Sequence, residues 1–187
     1  MKNRMGIAFL LASLAVFGCG GSSISNIRMQ LAPGAIPRSE VLVVVPVDAS
    51  RTVFEGDYSD DPPSVAQGRI TLQTSYAPRL AAALQAAGLR AMVAGPTVPP
   101  TAVFVNLQVT KFDAGSNAAR AMVGFGAGAS YLLTVVSVHR GQTPLAEFTV
   151  DATSGGRGGL GALGSWLDTH LAQSIDSITA YLSEHMR

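Results

Sequence analysis

Few residues in this sequence combine in a spacing that supports chemistry, and each combination can be held against what its reaction needs. Gly124-Phe125-Gly126-Ala127-Gly128-Ala129 satisfies the G-x-G-x-x-[GA] pattern that cradles a dinucleotide pyrophosphate. That use requires a strand before the glycines and a helix after them, so that the helix N-terminus faces the phosphates. Tyr131 to Val138 follows instead, β-branched and strand-like. Gly128-Ala129-Ser130-Tyr131-Leu132 lacks the second glycine of a nucleophile elbow. The three histidines are His139, His170 and His185, and although Ser174 follows His170 by four residues, no triad can be assembled from spacing alone. Glu55, Asp57, Asp60 and Asp61 crowd one segment, but neither their order nor a bidentate glutamate matches a calcium loop, so a solvated acidic loop is expected. The glycine-dense Ser154 to Gly164 has no lysine with which to close a phosphate loop. The sequence therefore predicts no catalytic residue, no cofactor and no metal. Asp113, Arg120, Trp166 and Arg157 remain as groups that a small ligand would use if the glycine-rich segments formed a pocket.

Cys19 carries the clearest chemical signal. It is the sole cysteine, so it has no partner for an intramolecular disulfide. Lys2 and Arg4 precede an uncharged apolar run, Met5 to Phe17, too short to span a bilayer. The run ends at Val16-Phe17-Gly18-Cys19. This arrangement resembles the precursors of bacterial lipoproteins, with an aliphatic residue three before the cysteine and a small one directly before it. The resemblance implies that residues 1–18 are a signal peptide and that Cys19 carries a diacylglyceryl thioether and an acylated amine, palmitate among the chains. Each buried methylene contributes about 0.8 kcal/mol, so several chains anchor stably. Gly20 rather than aspartate follows, which in lipoproteins implies the outer membrane, facing the periplasm.

Charge argues against other partners. Of 13 basic and 12 acidic residues, Lys2 and Arg4 leave with the leader, and the remainder has no basic stripe for nucleic acid. With 48% hydrophobic and 13% charged residues, the chain can bury a core.

The elements that must position these residues follow from periodicity. Gly20 to Ser39, rich in Gly, Ser and Pro, reads as a lipidated tether spanning 19–39, with a short edge strand at Ile27 to Leu31 as the alternative. A single α/β domain is then expected over 40–187. Glu40 to Val47 is a buried strand that must end near Pro46. Leu72, Tyr76, Leu80, Leu84 and Ala87 mark a helix from about Ser75, or from Thr71, to Ala87, capped by Gly88. Leu89 to Ala94 is a short strand. Thr101 to Phe112 alternates, with Val103, Val105, Leu107, Val109 and Lys111 on one side. Ser130 to His139 and Leu145 to Thr153 form a hairpin across Gly141-Gln142-Thr143-Pro144. A last helix, Ser165 to Glu184, carries one apolar face from Leu163 to Met186. The fold expected is a two-layer α/β (α+β) sandwich: a mostly antiparallel sheet of about five strands with two helices on one face. Ala121 to Val138 is also just long enough for a membrane helix with a Gly124…Gly128 pair, but its second half favours a strand.

With that order in hand, Asp113 to Gly128 resembles the G-x-x-x-x-R-x-x-x-G-x-G-x-G segment of an uncharacterised family of bacterial lipoproteins, a domain of unknown function. Gly115, Arg120, Gly124, Gly126 and Gly128 carry the match, and the resemblance runs from about Val41 to Tyr181. The element order is also similar to small α/β domains of periplasmic assembly lipoproteins, including the curli-secretion channel and the N-terminal domain of TolB. The expected role is non-enzymatic: a membrane-anchored envelope protein that binds or scaffolds another envelope protein. The alternatives are a small-ligand binder or enzyme using the glycine loops near Arg120 and Arg157, or an oligomeric export accessory.

Overall fold

The computed structural model describes residues 21–57, 59–116, 128–154 and 163–186. Cys19, Arg120, Gly124, Gly126 and Arg157 lie outside these residues, as does the signal peptide. The element order is β1 (Gly21–Met29), β2 (Val41–Val44), a 3-10 turn (Ala49–Arg51), β3 (Val53–Glu55), α1 (Pro62–Ala86), β4 (Arg90–Val93), β5 (Val103–Asp113), β6 (Ser130–Arg140), β7 (Thr143–Ser154) and α2 (Leu163–His185).

The strands form one mixed sheet in the order β1-β7-β6-β5-β2-β4, with β3 on the edge of β5 beyond β2. From β1 to β5 the neighbours are antiparallel, whereas β2 runs parallel to both β4 and β5. This corrects the expectation of about five mostly antiparallel strands. The crossover through α1 returns the chain to the end from which it started, so β4 must run parallel to β2. The acidic stretch contributes β3, three residues too few to show a period.

Both helices cover one face of the sheet and share a single core with it. Every second residue of β6 and β7, Leu132, Val136, Phe148 and Val150 among them, points into that core. From α2, Leu167, Leu171, Ile178 and Leu182 meet them as the four-residue stepping requires. Helix α1 begins well before the expected start. Pro62 and Pro63 occupy its first positions, where a missing N–H costs nothing, and Asp61 precedes them. Its far end obeys the sequence signal: Gly88 takes φ +79° and Leu89 N donates to Leu84 O at 3.0 Å, a Schellman closure.

Two further expectations are overturned. Residues 21–39, read as a tether, supply β1 and two fully buried side chains, Leu31 and Ile36. Polar serines hide the strand in the sequence, because β1 is an edge strand whose ladder to β7 needs no apolar period. In β5, Thr110 is an extra residue: Val109 faces Thr134 while Lys111 already faces Leu133. The bulge reverses the alternation. Phe112 becomes fully buried, and Lys111, expected on the inner face, turns out to pair with Glu55 and to lie 5.2 Å over the Tyr131 ring. The Glu55 carboxylate first, then the Tyr131 hydroxyl, hold the Lys111 ammonium above its ordinary pKa. Because Ser130 to Arg140 is strand, Ala121 to Val138 is not one membrane helix. Among the described residues no helix is long and apolar enough to cross a membrane.

Candidate functional site

Among the described residues, polar groups gather between sheet and α2, where they are sealed, and on the sheet face that no described helix covers. The sealed group arises from phase. Ser130 and Thr134 share the inward side of β6 with Leu132 and Val136, and His170 and Ser174 share the inward side of α2 with Leu167 and Leu171. Buried polar atoms must then find each other. Ser130 Oγ lies 2.9 Å from His170 Nε2 and 2.6 Å from Ser154 Oγ. His170 Nδ1 lies 3.3 Å from Gln173 Oε1. An amide oxygen only accepts, so Nδ1 carries the proton, Nε2 accepts from Ser130, and Ser154 donates to Ser130. One turn on, Tyr76 OH donates to Thr134 Oγ1 at 3.2 Å and also bonds Ser174 Oγ. Further along the seam Ser22 Oγ donates to Gln173 O at 2.7 Å and contacts Ser177 Oγ at 2.6 Å.

The hydroxyl, imidazole and amide have the connectivity of a Ser–His–acid relay, with a neutral amide in the third place. Ser130 and His170 are both 0% exposed. The network ties β6, β7 and α2 together as a satisfied polar core. Spacing could not reveal it, because Ser130 and His170 are 40 residues apart. The only available signal was that both stand in phase with buried apolar neighbours.

Burial pushes the Tyr76 hydroxyl up to about 12, with the Ser174 and Thr134 bonds opposing it. Its folded pKa exceeds the unfolded value of 10.0, so the neutral phenol stabilises the fold fully below pH ~10 and that contribution disappears as pH rises toward ~12, on the order of 2–3 kcal/mol. Thermal melts between those limits should therefore show a steeper loss for the native chain than for Tyr76→Phe; parallel loss in both would refute the assignment.

At the end of the sheet where β5 stops, Asp113 Oδ1 accepts from Gly115 N at 2.7 Å, and Asp57 N donates to Gly115 O at 3.0 Å. Gly56 sits against this turn at φ +79°, and a Cβ there would stand 2.6 Å from Gly115 O. Gly56→Ala should lower stability by about 2 kcal/mol from left-handed strain and this contact. Gly95→Ala, with nothing within 4 Å, should leave the urea midpoint unchanged. Of the glycine pattern, Gly115 and Gly128 are described, at φ +71° and +70°; Arg120, Gly124 and Gly126 are not. Trp166 is packed in the core rather than lining a site. His185 stacks on Tyr181 and its Nδ1 donates to Tyr181 O at 2.8 Å.

The open face is built differently. Phe104 stacks on His139 with ring centroids 5.3 Å apart; Asn106 Nδ2 donates to His139 Nε2 at 2.8 Å, and His139 Nδ1 donates to Gly141 O at 2.8 Å. Beside them lie Gln108, Val135, Ser137, Glu147 and Thr149. At Asn26, φ +46°, β1 leaves its register and swings Asn26, Ile27 and Arg28 over this face. Arg28 Nη1 meets Glu147 Oε1 at 3.1 Å, and Ile27 stays 49% exposed. The bulge and the strands enclose a shallow groove of about 760 Å³. Its lining mixes aliphatic, amide, hydroxyl and charged groups without converging histidines, and Asp113 is not part of it. Among the described residues no group of three His, Cys, Asp or Glu is placed to hold a metal.

No curated protein matches the chain. Among solved structures, PelC from Paraburkholderia phytofirmans, described as a dodecamer, is 14% identical, with 89% of this chain and 98% of that one covered and a TM-score of 0.47. A Xanthomonas campestris protein of the DUF330 family is 12% identical, with 86% and 90% covered and a TM-score of 0.42. Residues 32–158 match the model of a family described as a domain of unknown function, DUF4410.

Proposed function

We infer, for a chain that belongs to the DUF4410 family of domains of unknown function, that it is an outer-membrane lipoprotein anchored through Cys19. We infer also that it works by binding a protein of the cell envelope rather than by catalysis. The observation that carries the binding part is the face of β5, β6 and β7 that neither described helix covers. A sheet face of half-buried Phe104, Val135 and Leu133, alternating with Asn106, Gln108, Ser137 and Thr149, has the apolar-with-polar make-up of a non-obligate protein interface. Anchoring confines that face near a membrane and raises its effective concentration for neighbours there.

Anchoring is tested by labelled palmitate, which should enter the native chain and be lost in Cys19→Ala; label retained in the variant would sink it. Face-directed binding is tested by photo-crosslinking residues placed singly at Val135, on the open face, and at Gln67, exposed on α1. A discrete adduct is expected from Val135 alone. Equal yields from both positions would remove the basis for the open face.

A second reading has one observation in its favour, the Ser130–His170 contact at 2.9 Å. A serine-directed fluorophosphonate should leave the native protein unlabelled. Labelling that disappears in Ser130→Ala would replace the binding reading with a hydrolytic one.

A further inference from the structure

We propose that a shallow groove along the first half of α1 binds a carboxylate carried on an aliphatic body, and that Arg69 takes its charge. The site shares no lining residue with the groove on the open sheet face and is independent of the Cys19 anchor.

The groove encloses about 560 Å³, within the usual range of a small-ligand site. Val65, Arg69 and Gln73 line it from α1, stepping by four along one side of the helix, with Ile70 beside them. Ser50, from the 3-10 turn, and Ser59 add hydroxyls. Ile70 is 51% exposed, so apolar surface is left there for a ligand to cover.

Arg69 is held in place by a chain of contacts that begins in the core. Phe112, fully buried, meets Phe54 edge to face with ring centroids 6.0 Å apart. Gly68 admits the Phe54 ring to the helix, since a Cβ there would stand 2.7 Å from Phe54 Cε1. A glycine inside a helix weakens it, and here it makes room for that ring. The Arg69 guanidinium then lies 5.8 Å over the Phe54 centroid. Its Nε is sealed from water without an acceptor, while the side chain as a whole lines the groove. Arg28, Arg79, Lys111 and Arg140 each meet a carboxylate. Arg69 makes no hydrogen bond or ion pair with any described residue. A guanidinium fixed in this way offers parallel N–H groups that match the two oxygens of a carboxylate. It is the one charged group in the lining, which suits a monoanion rather than a phosphate.

The neighbouring acids leave this charge in force. Ser59 Oγ donates to Asp60 Oδ1 at 3.4 Å, and Ser64 Oγ donates to Asp61. Asp61 precedes the helix, and Arg69 lies about 12 Å further along its axis at about 1.5 Å per residue, beyond a Debye length of about 8 Å. Pro62 and Pro63 bring no N–H to the helix end, so the attraction for an anion comes from Arg69.

The test titrates the isotope-labelled full chain with N-acetyl-leucine, isocaproate and N-acetyl-leucinamide, reading the amide resonances of Val65, Ile70 and Gln73. Saturable shifts are expected from the carboxylates. Binding of both acids assigns free organic acids as ligands, and binding of N-acetyl-leucine alone assigns a peptide C-terminus. N-acetyl-leucinamide, which lacks the charge, should bind about tenfold or more weakly, the loss of one charge-assisted pair. Arg69→Gln should weaken N-acetyl-leucine binding to the same degree, and Arg69→Lys should recover part of it, keeping the charge without the planar fork. Arg79→Gln, which removes a cation already paired with Asp168, should bind as the native chain does. No saturable shift with either acid, equal binding of the amide by the native chain, or unchanged affinity in Arg69→Gln overturns the site. The comparison of acid with amide uses the native chain alone, so it holds whatever the substitutions do to folding.

Discussion

Leu31→Ala and Ile36→Ala are each expected to lower stability by about 2–5 kcal/mol, and a chain starting at Glu40 is expected to lose cooperative unfolding altogether. Both side chains are 0% exposed. Their segment is strapped to the end of α2 by three bonds: Tyr181 OH accepts from Leu31 N at 2.9 Å, His185 O from Gly34 N at 2.9 Å, and Met186 O from Arg38 Nε at 3.3 Å. Residues 21–29 meanwhile cover the edge of β7, which a shorter chain would leave open and apt to pair with another molecule. A small domain holds only ~5–15 kcal/mol in total, so the double variant should sit near or beyond its limit. Urea unfolding of the soluble Cys19→Ser form measures this, with Ile27→Ala as control because Ile27 is 49% exposed. Midpoints unchanged in Leu31→Ala would return the segment to the role of a tether.

His170→Ala is expected to cost about 2–4 kcal/mol. The substitution removes the acceptor of Ser130, leaves that buried hydroxyl with Ser154 alone, and opens a cavity beside Phe112, whose ring centroid is 6.1 Å from the imidazole. Ser130→Ala should cost less, since it deletes a hydroxyl without leaving a large void. The double variant should be more stable than the sum of the two losses predicts, by a coupling of roughly 1–2 kcal/mol. Strict additivity in calorimetry would show that the 2.9 Å contact contributes nothing to the seam. Fluorophosphonate inertness of the native chain is the complementary expectation, since stability alone does not separate a structural serine from a catalytic one.

Both predictions fall where the sequence was hardest to read. Leu31 and Ile36 stand among Gly, Ser and Pro with no period around them, and a period is what makes burial visible. Their burial is decided by α2, which lies about 150 residues further on. Ser130 and His170 were visible as residues but not as a pair. The inward phase of each follows from its own element, yet the contact requires the helix to be laid across β6 in one register. The reversal at Thr110 is of the same kind, because a bulge leaves no mark in the alternation until its partner strand is known.

Local chemistry alone determined several things about this protein. The apolar faces of α1 and α2, the Gly88 stop and the β6–β7 hairpin all follow from spacing, since side-chain direction repeats every 3.6 residues in a helix and every two in a strand. The strand expected after Gly124-Phe125-Gly126, where a dinucleotide loop needs a helix, is β6. The candidate acylation site at Cys19 is likewise a purely local pattern. Tertiary structure decided the rest: the mixed direction of the sheet, the strand hidden in residues 21–29, the sealed Ser130–His170–Gln173 relay, and the open face crossed by Arg28. These depend on which edges pair and which faces are covered. Pairing energy is gained between residues far apart in the chain, so it is a property of the assembled layers and not of any one segment.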